Sequence, residues 1–171
     1  MFKAGVNSDV FFSSKASRIF IVHQGITYKS EYEGDYLWAP QSGKFHHEKM
    51  TEIHKGDIIF NYRNGIYAIS EALCDTFKSK QPRELYGNGW DIEGYGVFAR
   101  YELITPPLSL DPIRGAIIAK RSGKYSSFDS NGNANQGYLY DLELDIAKLI
   151  AVAILKRKHS VKVESILKRL P

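Results

Sequence analysis

Short runs of β-branched and aromatic residues, broken by polar and glycine-rich stretches, dominate the first two thirds of the chain. Residues 18–25, RIFIVHQG, carry a four-residue apolar run closed by polar residues and glycine, which predicts a strand. Residues 26–44 show no period and read as irregular. HHEKMTEIHKG (46–56) predicts a short helix with Met50 and Ile53 on one side and Gly56 as its stop. DIIFNY and IYAISEALC flank Arg63-Asn64-Gly65. Asn-Gly tolerates the positive φ of a tight hairpin turn, so the two runs predict paired strands. YGVFARYELI (95–104) predicts another strand, ended by Pro106 and Pro107. LDPIRGAII predicts a short helix capped by Asp111 with Pro112 in its first position. SSFDSNGNANQG is a loop by composition, and YLYDLEL resumes order after it. From Leu144 the period changes: Ile146, Leu149, Ile150, Ala153 and Ile154 recur at spacings of three and four, and a second short helix follows Ser160.

Strands at irregular spacing, short helices between them and a helical end predict an α+β fold, with the strands curled into a small barrel. At 171 residues the chain is expected to form a single domain over 1–171, with a core near 18–142 and C-terminal helices near 144–170. It ends close behind an amphipathic helix, at ILKRLP, which suggests a piece of a longer protein.

Composition narrows the function. Aromatic content is 13%, with 11 tyrosines, which suits strands or a binding surface. No run reaches the roughly 20 apolar residues of a membrane span. The N-terminus lacks a secretory signal, and the single Cys74, in a strand-like apolar run, excludes an internal disulfide; both fit the cytoplasm. The net charge of +4 is uneven, because seven basic residues and one acid lie in 148–171. That segment either attracts an acidic partner such as nucleic acid or forms a solvated helix face. The five histidines and Cys74 lack the close pairing of a zinc site, and nucleophile-elbow, HExxH and phosphate-loop motifs are absent. The residues therefore favour a binding module without metal or cofactor over an enzyme.

One ordered series of motifs carries more. FIVHQG, then Trp38 in a polar setting, a short helix, KGDIIFNY, a turn, IYAISEAL, and later Trp90, GVFARYELI and PLSL follow one another. This order, over residues 18–142, resembles the EVE and YTH domains of the PUA-like superfamily. NQGYLYDL (135–142) is similar to the closing segment of EVE-like domains attached to modification-dependent, McrBC-type or related type IV, restriction enzymes. The resemblance implies a small, strongly curved β-barrel surrounded by short helices. It also implies a nucleic-acid reader that captures a modified base between aromatic walls.

Position by position, it implies that Trp38 and Trp90 are those walls, that His23 and Gln24 face the base, and that Asn61 and Tyr62 lie beside it. An amide offers a donor and an acceptor to a base edge. The sequence departs from many relatives in having His23-Gln24 where they have Lys-Ser, and Trp-Ala-Pro at the tryptophan. The expected ligand is DNA with a modified base, N6-methyladenine or a modified cytosine, flipped from the duplex. The expected partner is a fused or associated motor or nuclease domain of a restriction system. A reader of modified RNA and a small-ligand or protein-interaction module are the alternatives. Lys44, Arg63, Lys120, Arg121 and Lys124 are the candidate phosphate contacts, with AKRSGKYSSF (119–128) as the preferred segment.

Overall fold

The computed structural model describes residues 17–87 and 92–171. Trp90 lies outside the described residues.

The apolar run of the first strand, β1 (Ile19–His23), is buried on both faces, which is why it shows no alternation. Ile19 and Ile21 join a core with the C-terminal helices, whereas Phe20 and Val22 join a second core inside the curled sheet. Helix α1 (Tyr28–Glu33), strand β2 (Tyr36–Pro40), helix α2 (Phe45–Glu48) and a 3-10 turn at Lys49–Glu52 follow. Together they form the crossover that brings β3 (Ile58–Tyr62) parallel to β1. Asn64 (φ 51°) and Gly65 (φ 128°) then turn β3 into β4 (Ile66–Ala72), as expected from Asn-Gly.

Strand β5 (Phe77–Lys80) precedes the 16-residue β6 (Glu93–Leu108). β6 pairs with β2 and β5 through its first half and with β4 through its second. Helix α3 (Arg114–Lys120), strand β7 (Leu139–Asp141), helix α4 (Leu144–Leu155) and helix α5 (Val161–Leu167) complete the chain. The sheet runs β2-β6-β4-β3-β1-β7, with β5 also on β6. This is the expected α+β architecture, a strongly curled sheet surrounded by short helices with a helical C-terminus.

Several local expectations are corrected. Residues 26–44 are not irregular, since they hold α1 and β2. β6 runs through Pro106 and Pro107 to Leu108. The register jumps there, with Ile66 opposite Leu108 but Ala68 opposite Leu103, so the prolines occupy an irregularity that asks no ladder N–H of them. Asp111 does not cap α3. It starts a 3-10 turn, and its carboxylate pairs with Arg114. Cys74 lies past the end of β4, half-buried against the inner core. Ser160 does cap α5, accepting from the Val163 N–H at 3.1 Å.

Much of the C-terminal basic charge is spent inside the molecule. Arg169 pairs with Glu71 at 3.0 Å, Lys162 with Glu102 at 3.7 Å and Lys168 with Glu164 at 2.6 Å, and Arg157 donates to the Pro106 carbonyl. Lys162 joins α5 to the sheet, and Arg169 does the same from just beyond its end.

Candidate functional site

The curled sheet leaves a seam between β2 and the β1–β7 pair, and side chains close it where no backbone ladder does. Glu31 of α1 is fully buried there and accepts four hydrogen bonds. The Trp38 N–H (3.2 Å) and the Tyr138 hydroxyl reach one carboxylate oxygen; the Gln24 amide (3.2 Å) and the Thr27 hydroxyl (2.9 Å) reach the other. Trp38 N–H is shared with the Tyr138 oxygen at 3.1 Å. The network continues inward: Gln24 Oε1 accepts from Tyr67 (2.6 Å) and Asn61 (3.2 Å), Gln24 Nε2 also donates to Tyr101 (3.1 Å), and Ser70 donates to Asn61 Oδ1 (2.9 Å). Burial pushes the Glu31 carboxyl up to about 7, against the four hydrogen bonds, which hold it down. Tyr101 and Tyr138 are held well above their ordinary value, first by burial and then by the nearby Glu31 charge.

A cleft of about 430 Å³ opens over this network at the end of β1. Its lining comes from three places: His23, Gly25, Ile26 and Thr27 after β1; Lys44, His46 and His47 at α2; and Gln136, Gly137 and Tyr138 leading into β7. Backbone partners set the ring tautomers. His23 Nδ1 faces the Asn135 carbonyl at 3.0 Å, so Nδ1 carries a proton and donates it there. His46 Nδ1 accepts the Tyr138 N–H at 3.0 Å, which places its proton on Nε2. Burial, then the adjacent Lys44 charge, lowers the His46 pKa and favours that neutral form. Three imidazoles, those of His23, His46 and His47, therefore meet at the cleft, with an exposed lysine at its edge.

Of the residues singled out from the sequence, His23 and Lys44 line the cleft. Gln24 and Asn61, expected to face a base, are instead fully buried in the network, and every donor and acceptor position of the Gln24 amide is filled. Tyr62 packs edge-on against His23 (ring centroids 5.0 Å apart) but lines a separate depression of about 200 Å³ with Asp111 and Arg114. Trp38 is in a strand, not a loop, and is 1% exposed; its indole N–H donates to Ser79 Oγ at 3.0 Å.

The cationic candidates divide in the same way. Arg63 stacks over Tyr28 at 3.9 Å and donates to the Gly25 carbonyl, so it braces the loop that edges the cleft. Arg121 spends its guanidinium on the carbonyls of Phe128 (3.2 Å) and Gly123 (3.0 Å). Lys120 lies 3.8 Å from Asp145. Lys124 is exposed beside Tyr125. Sequence reasoning missed Glu31, Tyr138 and the His46–His47 pair. The polar tail of β1 and Lys44 were the sequence features that fall at this end of the sheet.

No protein-family model and no curated protein sequence matches the chain. Solved structures do. A hypothetical protein from Leishmania major superposes with a TM-score of 0.53 at 8% identity, over 84% of this chain and all of that one. Rpa0253 from Rhodopseudomonas palustris, solved by NMR, gives 0.51 at 11% identity, over 83% of this chain and 96% of that one. These likenesses show a shared fold. The Pho92 YTH domain, solved in complex with m6A, gives 0.45 at 12% identity over 86% of this chain and 88% of that one, a likeness too distant to build on.

Proposed function

We propose that this domain reads a modified base in DNA, taking the flipped base into the cleft at the end of β1. The observation that carries the reading is the chemistry of that cleft. Its volume falls within the roughly 300–1,000 Å³ of small-ligand sites. The imidazoles of His23 and His46, each oriented by a backbone partner at Nδ1, suit a base edge, which presents donors and acceptors. Lys44 at the rim, exposed and in no ion pair among the described residues, suits the adjoining phosphate. The motif order of residues 18–142 supports the same ligand class, and its closing segment supports a restriction system whose cutting machinery lies in another domain or subunit.

The test is a binding panel of duplex DNA, single-stranded DNA and RNA, each with and without N6-methyladenine, 5-methylcytosine and 5-hydroxymethylcytosine. One modified duplex is expected to bind at least tenfold more tightly than its unmodified counterpart. His23→Ala is expected to erase that preference. Lys44→Ala is expected to weaken both duplexes alike and to flatten the log–log salt dependence by about 0.9. Preference for a modified RNA would replace DNA by RNA as the ligand. Equal affinity for every probe would overturn base reading.

The same reading makes the domain a binder without chemistry of its own. Incubated with modified plasmid and Mg²⁺ or Mn²⁺, the purified chain is expected to leave the DNA uncut. Cleavage lost on mutation of a carboxylate would make it a nuclease.

A further inference from the structure

Beside the cleft, two aromatic rings stand in solvent. Phe45, between the cleft residues Lys44 and His46, is 42% exposed, and Tyr125 is 65% exposed. Their centroids lie 5.4 Å apart with the planes inclined at 55°, and Tyr140 supports Phe45 from beneath at 5.5 Å.

The loop that carries Tyr125 is held firmly. Glu143 accepts from the Ser122 N–H (3.0 Å) and from the hydroxyls of Ser122 (2.9 Å), Ser126 (2.6 Å) and Ser127 (3.3 Å). Arg121 ties the same loop through the Phe128 and Gly123 carbonyls. These bonds keep the Glu143 carboxyl below its ordinary value although burial acts the other way. An exposed tyrosine is thereby presented on a braced support, which lowers the entropy lost when a ligand covers it.

Two lysines without an ion pair flank the rings. Lys124 Nζ lies 5.4 Å from the Tyr125 ring centre, and Lys44 sits at the other flank. Neither lysine is in an ion pair among the described residues. Lys49, 5.8 Å over the Phe45 ring, is by contrast neutralised by Asp141 at 2.8 Å and Glu52 at 3.0 Å. Exposed rings between uncompensated lysines match a base bounded by phosphates, because bases offer a π face and the backbone offers negative charge.

We propose that Phe45 and Tyr125 form a stacking platform for the base next to the one held in the cleft, with Lys44 on the phosphate between the two. This rests on the nucleic-acid reading above. In a duplex, the flipped base leaves its neighbour's face uncovered, and the platform replaces the lost stacking partner. In a single strand the same face is already open.

The test uses the whole chain and fluorescein-labelled 12-mer DNA with a central N6-methyladenine or 5-methylcytosine, whichever binds more tightly. Matched strands have the nucleotide on one or the other side of that base made abasic. On the full oligonucleotide, Tyr125→Ala is expected to lose about 5- to 150-fold in affinity, and Tyr125→Phe to stay near wild type. On one of the two abasic strands, wild type should already be weakened and Tyr125→Ala should lose nothing more. Phe45→Ala should behave alike. An equal loss from Tyr125→Ala on all strands, or none on any, would overturn the platform. So would a wild-type dimer that Tyr125→Ala converts to monomer without change in DNA binding, because the rings would then serve a second copy of the chain. If instead the modified base proves irrelevant while the abasic dependence holds, the platform stands and base reading fails.

Discussion

Glu31→Ala is expected to lower the unfolding free energy by about 3–5 kcal/mol, measured by urea denaturation at pH 6. Four hydrogen-bonding partners converge on this buried carboxyl group, from Trp38, Tyr138, Gln24 and Thr27. Each unsatisfied buried polar group costs about 1–3 kcal/mol, and the removed side chain leaves a cavity as well. The two hydroxyls can turn to other acceptors, which limits the loss. The Trp38 N–H keeps only the Tyr138 oxygen, and the Gln24 amide cannot rotate without breaking its bonds to Tyr67 and Asn61. Glu31→Gln preserves volume but aims an NH₂ at two donors, so a smaller loss is expected. A loss below about 1 kcal/mol for the alanine variant would mean that water replaces the carboxylate without cost.

The same residue sets a pH dependence. Its folded value of about 7 lies above the ordinary 4.5, so the folded state holds the proton more tightly than the unfolded chain. The stabilisation is full below about pH 4.5 and is lost as pH rises through about 7. Denaturation midpoints of wild type should fall across that window relative to those of Glu31→Gln, which has no proton to lose there. Parallel curves for the two proteins would remove Glu31 as the titrating group.

Trp38→Ala is expected to destabilise the domain by a comparable amount, about 3–5 kcal/mol, the usual cost of deleting a buried large aromatic. The indole is 1% exposed and its N–H is satisfied by Ser79. It packs flat on β6 because Gly94 has no side chain; a Cβ there would overlap the ring and the Ala39 carbonyl. Gly94→Ala should therefore repeat much of the effect without touching the tryptophan. Trp38→Phe should keep most of the packing and lose the bond to Ser79, a loss of about 0.5–1.5 kcal/mol. Thermal denaturation of the four proteins makes the comparison. A Trp38→Ala variant with wild-type stability and weakened binding of modified DNA would return the ring to the role of a base-stacking wall.

Local chemistry explains which parts of the fold were legible. The β1 run, the Asn64-Gly65 turn and the α4 stripe each follow from residues within a few positions of one another, as does the helix that begins after Ser160. α1 and β2 were missed for the same reason. α1 buries Glu31, a charged residue that no hydropathy pattern assigns to an interior, and the acceptor role of that carboxylate depends on Tyr138, 107 positions away. The end of β6 was misread because a proline pair normally stops a strand, and only the partner strand's register shows where its missing N–H groups are harmless.

The candidate site divides along the same line. His23, singled out through the family resemblance, and Lys44, one of the candidate phosphate contacts, both line the cleft. The directions of Gln24 and Asn61 were not legible. Asn61 shares its face of β3 with Ile59, which belongs to the core inside the barrel, so its amide serves the network rather than the cleft.

By itself, the sequence determined the element types with strong local periods, the curled α+β class and the end of the barrel where polar chemistry gathers. The tertiary structure alone decided which polar residues are spent holding the seam closed and which remain free to meet a ligand. The physical reason is that a hydrogen-bonding group is committed by whatever lies within about 3 Å of it. Here those partners, Glu31 with Tyr138, His46 with the Tyr138 backbone and Ser79 with Trp38, come from elements that meet only when the sheet curls.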